Sequence, residues 1–336
     1  MGSDSIFSKM ESDPISDPIS RSRRRCVGAL AAGPALGALG PLGIAACAHR
    51  GQPGPTPAGP PLWRLVPPPG GTGTGWLFGS VHAGIAVAEA MPSTVERAWA
   101  AADVLAIEID VAARWTQLRD LFAQAALLPG TDTIEGLLGA TRAAEIREHF
   151  GFDDARWLGL RRLAPWALAV TLAGNDPLRR ERTGGQGIET RFIDSARSRA
   201  MPIVELEQAG EQVTALAGGS LEAQAAWLWR RFEAMRRQED LAAATLAAWR
   251  AGDEARLAAL KTRAWGEAND AAMPRPRMFG ERDRRIAKRL ARLLERPHTV
   301  FTVVGAFHLA GEDGLPGILA AHGVRVERVP PDRGES

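Results

Sequence analysis

The alternation of apolar and polar positions predicts short strands separated by helices. Short apolar runs bounded by Gly, Pro or charged residues are typical of buried strands, and apolar residues spaced three and four apart are typical of helices. Strands are expected at 62–66, 76–78, 104–107, 202–206, 299–304 and 324–329. Helices are expected at about 92–102, 188–200, 221–260 with a break near Gly252, 281–295 and 315–322.

This order of elements predicts an α/β fold with a mixed β-sheet flanked by helices on both faces. Residues 62–81 hold two strands separated by PPPGGTGTG, which predicts a hairpin. Residues 114–181 show helical spacing throughout. We therefore expect a mainly helical insert in the middle of the chain, which is a candidate cap over the sheet.

The first 47 residues have the pattern of an export signal. A polar stretch ends in Ser22-Arg23-Arg24-Arg25, residues 26–46 carry no charge, and the small residues before Cys47 complete the sequence Ile-Ala-Ala-Cys. A basic segment, a mild apolar segment and a small-residue cleavage point are typical of a secretory signal. The final four residues resemble a bacterial lipobox, which predicts lipidation of Cys47, and the arginines resemble a twin-arginine signal.

This segment predicts where the protein resides. A lipid on Cys47 would anchor the body to the periplasmic face of a membrane, and Ala48 after it resembles outer-membrane sorting. An uncleaved anchor is the alternative, since 21 uncharged residues can span a bilayer, although their Gly and Pro content disfavours a helix. Residues 48–61 are expected to form a Pro/Gly linker, and residues 62–330 the folded domain.

The charge and the cysteine content narrow the range of possible functions further. The 336 residues include 41 Lys and Arg against 39 Asp and Glu, a net charge of +2. Because nucleic-acid binding needs a basic surface, no nucleic-acid partner is expected. Both cysteines, Cys26 and Cys47, lie in the N-terminal segment. A body cleaved at Cys47 therefore has no disulfide, no thiol nucleophile and no metal-binding thiolate besides the lipidated residue.

Two segments share the pattern Gly-x-x-His at the exit of an apolar strand. Gly79-Ser80-Val81-His82 follows residues 76–78, and Gly305-Ala306-Phe307-His308 follows residues 299–304. Ligands of open α/β sheets bind beyond the carboxyl ends of the strands, and Gly permits a sharp turn or a close backbone approach there. We therefore expect both imidazoles to face one crevice.

Glu108 is the third candidate, because it also ends a buried strand, where an unpaired carboxylate is costly. His82, His308 and Glu108 together are a usable ligand set for Mn²⁺, Co²⁺, Fe²⁺ or Zn²⁺. The alternative is that the histidines are hydrogen-bonded packing residues and that Glu108 accepts hydrogen bonds from a helix N-terminus. Asp110 is expected to cap a turn or helix. The remaining histidines are predicted to be non-catalytic: His49, His149, His298 and His322.

Four segments together point to a known family. They are LWR at 62–64, GWLFGSVH at 75–82, ADVLAIEID at 102–110 and VVGAFHLAGEDGLPGILAAHGVRVERV at 303–329. In this order they resemble the TraB/GumN family, which includes the Tiki-type metalloproteases. The resemblance extends over roughly 62 to 329 and is supported by Leu206-Glu207, among other short matches. It implies a mixed sheet flanked by helices and a metal-dependent, peptidase-like centre at His82, His308 and Glu108.

One position departs from that family, in which Arg-Asn often precedes the last long helix. Here Arg282 is followed by Asp283. The planar fork of Arg282 suits the orientation of a substrate carboxylate or carbonyl, which makes it a candidate catalytic residue. A salt bridge to a neighbouring acid is the alternative for Arg282. Asp283 cannot donate a hydrogen bond as an amide does.

These observations favour an exported, membrane-anchored hydrolase, a peptidase by resemblance, that acts on a peptide or small-molecule substrate. A divalent ion, Mn, Co or Zn, would activate water, and Glu108 would be either a ligand or the general base. The first alternative is a non-catalytic lipoprotein that binds a peptide or small ligand. The second is haem capture through exposed histidines. The sequence does not indicate an oligomeric state.

Overall fold

The computed structural model describes residues 59–81, 91–175, 187–270 and 273–332. The strands are β1 (Leu62–Val66), β2 (Thr74–Ser80), β3 (Val104–Ile107), β4 (Ile203–Glu205), β5 (Thr299–Gly305) and β6 (Arg325–Arg328). They form one sheet in the order β4-β3-β5-β2-β1-β6. Strands β2 to β5 are parallel, whereas β1 is antiparallel to both β2 and β6. The predicted mixed α/β sheet is therefore confirmed, and its first two strands form the predicted hairpin.

The described residues also contain fourteen α-helices and a π-helical turn, Pro276–Glu281. The helices are α1 (Ser93–Ala100), α2 (Trp115–Ala125), α3 (Ile134–Leu138), α4 (Ala140–His149), α5 (Asp154–Leu160), α6 (Pro165–Asn175), α7 (Ile188–Ser198), α8 (Ala209–Ala217), α9 (Leu221–Arg236), α10 (Leu241–Ala251), α11 (Glu254–Trp265), α12 (Arg282–Leu294), α13 (Ala306–Leu309) and α14 (Leu315–Ala321). In this part of the chain, none of the helices has the length and apolar character needed to cross a membrane. The predicted export signal and Cys47 lie outside the described residues.

Helices cover the sheet on both faces. From β5, Phe301 and Val303 pack into a core shared with α1, α7, α10 and α11. Val300 and Val304, which alternate with them, pack into a second core with α12 and α14. Burial on both faces explains why residues 299–304 are continuously apolar instead of alternating.

The central helices build a core of their own. Helices α2 to α6 pack with α8 and α9 around buried side chains that include Trp166, Leu228 and Phe232. This arrangement confirms the mainly helical insert. The predicted helix 221–260 is divided in three: Gly252 ends α10 in the left-handed conformation at φ 63°, as the predicted break requires. The second break, at 237–240, contains neither Gly nor Pro, so its sequence carried no stop signal.

The parallel strands end together at one edge of the sheet. Ser80 pairs with Gly305, and Ile107 pairs with both Val303 and Glu205. Residues that follow these strands therefore converge at the same edge. This is the edge at which ligands bind in open α/β sheets.

Candidate functional site

Glu108 and His308 meet at this carboxyl edge. Glu108 directly follows β3, and His308 lies on the short helix α13 that directly follows β5. The distance from Glu108 Oε1 to His308 Nε2 is 3.7 Å, and their side chains are 13% and 6% exposed. The backbone N–H of Gly305 also donates to Glu108 Oε1, at 2.6 Å. Two of the three predicted ligands thus face each other, and the alternative for Glu108, a bond from a helix N-terminus, is present too.

The third predicted ligand, His82, lies outside the described residues. Ser80, two positions earlier in the sequence, pairs with Gly305 of β5. Within the described ranges, no group of three or more His, Cys, Asp or Glu side chains is arranged to hold a metal ion. The combination of His82, His308 and Glu108 remains a prediction.

Arg282 links Glu108 to a second buried carboxylate, that of Glu207. Its Nε and Nη2 donate to Glu207 Oε1 and Oε2 at 2.7 and 2.5 Å, and Nη2 also donates to Glu108 Oε2 at 3.2 Å. Burial alone would lower the pKa of Arg282, but the hydrogen bond with Glu207 and the charges of Glu108, Glu207 and Asp283 outweigh it and raise the pKa. The guanidinium is therefore engaged in the salt bridge considered as the alternative.

Asp283 contacts His308 through the other ring nitrogen. Asp283 Oδ1 is hydrogen-bonded to His308 Nδ1, and the Asp283 side chain is fully buried. Burial raises the pKa of Asp283, although the charges of His308, Lys261 and Arg282 partly oppose the shift. Burial would lower the pKa of His308, but the charges of Asp283 and Glu108 outweigh this effect and raise it. The imidazole thus lies between two acids, Asp283 at Nδ1 and Glu108 near Nε2.

The start of α12 explains how two adjacent residues reach the site. Asp283 shares the buried face of this amphipathic helix with Ile286, Ala287 and Leu290, which pack under the sheet. The π-helical turn 276–281 immediately precedes α12, and such turns are frequent at functional sites. An acidic residue in the first turn of a helix is also favoured by the helix dipole.

A second buried network fixes the chain that follows α13. Lys261, fully buried on α11, donates from Nζ to the carbonyl of Ala310 at 3.1 Å and to Asp313 Oδ1 at 3.4 Å. Arg275 Nη2 donates to the same Asp313 oxygen at 3.0 Å. Burial lowers the pKa of Lys261, and the charge of Asp313 opposes that shift. Phe279 contacts both Lys261 Nζ, 4.7 Å from its ring centroid, and the His308 ring, at 5.0 Å between centroids.

A cavity of about 240 Å³ opens beside Glu108 and Arg282. Its apolar wall is formed by Ile107, Ile109, Val111, Ile193, Leu216 and Met278. Ser80, Glu189 and Gln212 are among its polar lining residues. A concave, mostly apolar pocket with a few polar groups is typical of ligand sites.

The remaining candidate residues are Asp110, which has a capping role, and the other histidines. Asp110 caps a turn, as expected, since its Oδ1 accepts from the backbone N–H of Ala113 at 3.0 Å. Its Oδ2 accepts from Arg197 Nη2 at 2.5 Å. His149, His298 and His322 are exposed, whereas His308 is buried. His49 lies outside the described residues.

Glu207 and Lys261 were not predicted as site residues, and the contact of Asp283 with His308 was not expected. Signals for two of them exist in the sequence. Glu207 closely follows β4 as Glu108 follows β3, and Asp283 precedes Ile286 and Leu290 by three and seven positions. That spacing places Asp283 on the apolar face of the helix. Lys261 carries no comparable signal, because a lysine in a helix is usually exposed.

The molecule is thus an α/β protein with a buried acid–imidazole–guanidinium site at the carboxyl edge of its sheet. The family model described as the TraB/PrgY/gumN family matches residues 61–328, which is most of the chain. The chain therefore belongs to this family, and the resemblance seen in its motifs is confirmed. Comparison with curated proteins and with solved structures gives no match.

Proposed function

We propose that the protein is a metal-dependent hydrolase of the peptidase type, exported and anchored through a lipid on Cys47. The observation that carries the proposal is the 3.7 Å between Glu108 Oε1 and His308 Nε2. Metal–ligand bonds to nitrogen and oxygen are about 2.0–2.2 Å long, so both donor atoms can reach one ion. The two atoms are too far apart to satisfy each other by a hydrogen bond.

The chemistry of the donor set supports this proposal. An imidazole nitrogen and a carboxylate oxygen suit Mn²⁺, Co²⁺ or Zn²⁺, and we propose His82 as the further ligand. Each described donor is oriented by a second group: His308 by Asp283, and Glu108 by Arg282 and the N–H of Gly305. Such outer contacts are typical of metal ligands.

The local charges also favour a cation. Glu108, Glu207 and Asp283 place three carboxylates around the guanidinium of Arg282. Two other buried cations among the described residues, Lys261 and Arg275, both pair with Asp313. A bound cation would reduce the electrostatic cost of burying those of these acids that are ionised.

When bound, a divalent ion supplies Lewis acidity and lowers the pKa of water. Glu108, as general base, is placed to accept a proton at Oε1; as a ligand it would use the same atom. Arg282 donates from Nη2 to Glu108 Oε2 and thereby holds the carboxylate in place. The apolar wall that includes Ile109, Val111 and Met278 would hold an extended peptide beside these groups and exclude bulk water.

Metal content and peptide cleavage test the proposal together. The purified protein is loaded with Mn²⁺, Co²⁺ or Zn²⁺, dialysed, analysed for metal, and incubated with a peptide library whose products are read by mass spectrometry. We expect about one ion per chain and cleavage products. Glu108→Ala should yield no products, and His308→Ala should lose both metal and products while its circular dichroism is unchanged.

His322→Ala is the matched control, because it removes an exposed histidine at the C-terminal end of α14, away from the buried site. It should retain both properties. A wild-type protein that holds no metal after loading would reject the proposal. Retention of intact peptide without cleavage would favour the non-catalytic binding alternative, and a haemin absorbance titration tests haem capture.

The anchoring part is tested separately. Cells grown with labelled palmitate should label the wild-type chain but not Cys47→Ser, because the lipid is attached through the Cys47 thiol. Equal labelling of the variant would reject lipidation, and recovery of the unprocessed N-terminus would favour an uncleaved anchor.

A further inference from the structure

We propose that Asp283 is a positioning residue that selects the Nδ1–H tautomer of the neutral His308 ring, so that Nε2, on the side that faces Glu108, carries no proton in that neutral form. The consequence for metal affinity rests on the proposed function, whereas the tautomer itself does not. The family resemblance does not assign this role to Asp283, since an amide often occupies its place there.

The geometry of the ring carries the first step. A neutral imidazole has one donor and one acceptor nitrogen, and a carboxylate only accepts. Asp283 Oδ1 contacts Nδ1 of His308, so the ring proton belongs on that nitrogen. Nε2 is then an acceptor, and it lies 3.7 Å from Glu108 Oε1. A neutral imidazole bonded in this way has its lone pair available for a cation.

Burial raises the pKa of Asp283, and the charges around this residue oppose that rise. The groups whose charge acts on it are His308, Lys261 of α11 and Arg282 of α12, and each is cationic or can become so. Cations stabilise a neighbouring carboxylate over its protonated form. Asp283 Oδ2 is buried and has no hydrogen-bond partner among the described residues. This asymmetry means that the carboxylate is held in the site through a single strong contact, the one with His308.

Packing prevents the ring from turning away. The His308 side chain is only 6% exposed, and the ring of Phe279 lies 5.0 Å from it between centroids. Lys261 holds the carbonyl of Ala310, two residues after His308. Both contacts keep Nδ1 directed at Asp283, so the bond selects the tautomer of a ring that is already fixed.

Nuclear magnetic resonance on metal-free protein tests the tautomer directly. Histidine ring nitrogens are labelled, and two-bond proton–nitrogen spectra are recorded at alkaline pH, where the imidazole is neutral; His308→Gln identifies the His308 signals. We expect a protonated Nδ1 and an unprotonated Nε2 in the wild type. A proton on Nε2 would overturn the inference, whether or not the protein binds metal.

Two variants of Asp283 distinguish the loss of its hydrogen-bond acceptor from a change in the shape of its side chain. Asp283→Asn keeps a carbonyl oxygen that can accept from Nδ1 and should preserve the tautomer. Asp283→Leu removes the acceptor and should shift His308 towards the Nε2–H form. Glu211→Gln is the control, since Glu211 pairs with Arg289 elsewhere on α12 and should leave the spectrum unchanged. An unchanged tautomer in Asp283→Leu, or an altered one in Asp283→Asn, counts against the inference.

Calorimetric titration with Mn²⁺ measures the consequence of the tautomer for metal affinity. Loss of an outer contact of this kind weakens metal binding by about 10–100-fold, which is the effect expected for Asp283→Leu, while Asp283→Asn should lose much less. A wild type with the Nδ1–H tautomer that binds no metal would reject the proposed function and leave the positioning role intact. If Asp283→Leu does not fold, the wild-type and Asp283→Asn spectra still decide the question.

Discussion

Gly79 lies directly against Ala306, the first residue of the helix that carries His308. A Cβ atom at Gly79 would be 3.3 Å from Ala306 Cα and 2.9 Å from Leu309 Cδ1. The glycine of the first Gly-x-x-His segment therefore allows the second segment to pack on β2. A close backbone approach, rather than an unusual dihedral angle, explains this glycine.

Gly79→Ala should consequently destabilise the protein by about 1–3 kcal/mol, because α13 must move to admit the methyl group. Urea unfolding measures the change, and peptide cleavage should fall with it, since His308 moves relative to Glu108. Gly136→Ala is the matched control: it lies in α3 with no atom within 4 Å of a new Cβ. It should stabilise by up to about 1 kcal/mol. Equal effects of the two substitutions would contradict the packing explanation.

The fold could be predicted largely from local pattern, because strand and helix signals depend on neighbouring residues. The apolar run 299–304 and the spacing of Ile286 and Leu290 both correspond to observed elements. The order of the strands in the sheet could not be predicted, since it depends on pairing between distant segments. The short helix α13 was also missed, because four residues after a strand carry too little periodicity.

The site was predictable only in part for the same reason. Glu108 and His308 stood out because each follows an apolar strand, and they do meet. That Asp283 contacts His308, or that Glu207 pairs with Arg282, could not be read from the chain, because each contact requires the position of α12 against the sheet. For Arg282 the sequence indicated either a substrate-orienting role or a salt bridge with a neighbouring acid, and it did not identify that acid as Glu207.

Removal of Glu207 should expose how strongly the buried charges depend on each other. Glu207→Ala leaves Arg282 with Glu108 as its remaining carboxylate contact at 3.2 Å and should destabilise by about 3–5 kcal/mol. The double variant Glu207→Leu with Arg282→Met should recover part of this loss, because no buried guanidinium is left uncompensated. Denaturant unfolding of the single and double variants tests this coupling, and losses that simply add would contradict it.

Glu108→Gln removes the negative charge at the centre of the site while it keeps the shape of the side chain. The amide oxygen can still accept from the backbone N–H of Gly305, so the fold should survive, as thermal melting would show. Without a carboxylate, peptide cleavage should fall by about 10²–10⁴-fold. Glu211→Gln, the same change in a surface-side salt bridge with Arg289, should retain cleavage. Undiminished cleavage by Glu108→Gln would remove Glu108 from the reaction.

Glu211 should also contribute a pH-dependent stability. Hydrogen bonds from Arg289 lower its pKa, burial opposes this, and the backbone N–H of Gln208 adds to the lowering. A carboxyl group whose folded pKa lies below its unfolded value, about 4.3, stabilises above that value and loses this effect as the pH falls through the folded pKa. The unfolding free energy of wild type should exceed that of Glu211→Gln at neutral pH, and the gap should narrow on acidification. A constant gap would show that ionisation of Glu211 does not matter.

The place of β5 between β3 and β2 has a consequence for biogenesis. Within the described sheet, the pair β3–β4 and the pair β1–β2 are joined only through this strand, which lies late in the chain. A growing polypeptide can therefore form both strand pairs before β5 exists to join them into one sheet. Glu108 would then meet His308 only once residues 299–308 have been synthesised and inserted, so the buried site does not form in a partly made chain until this late stretch arrives.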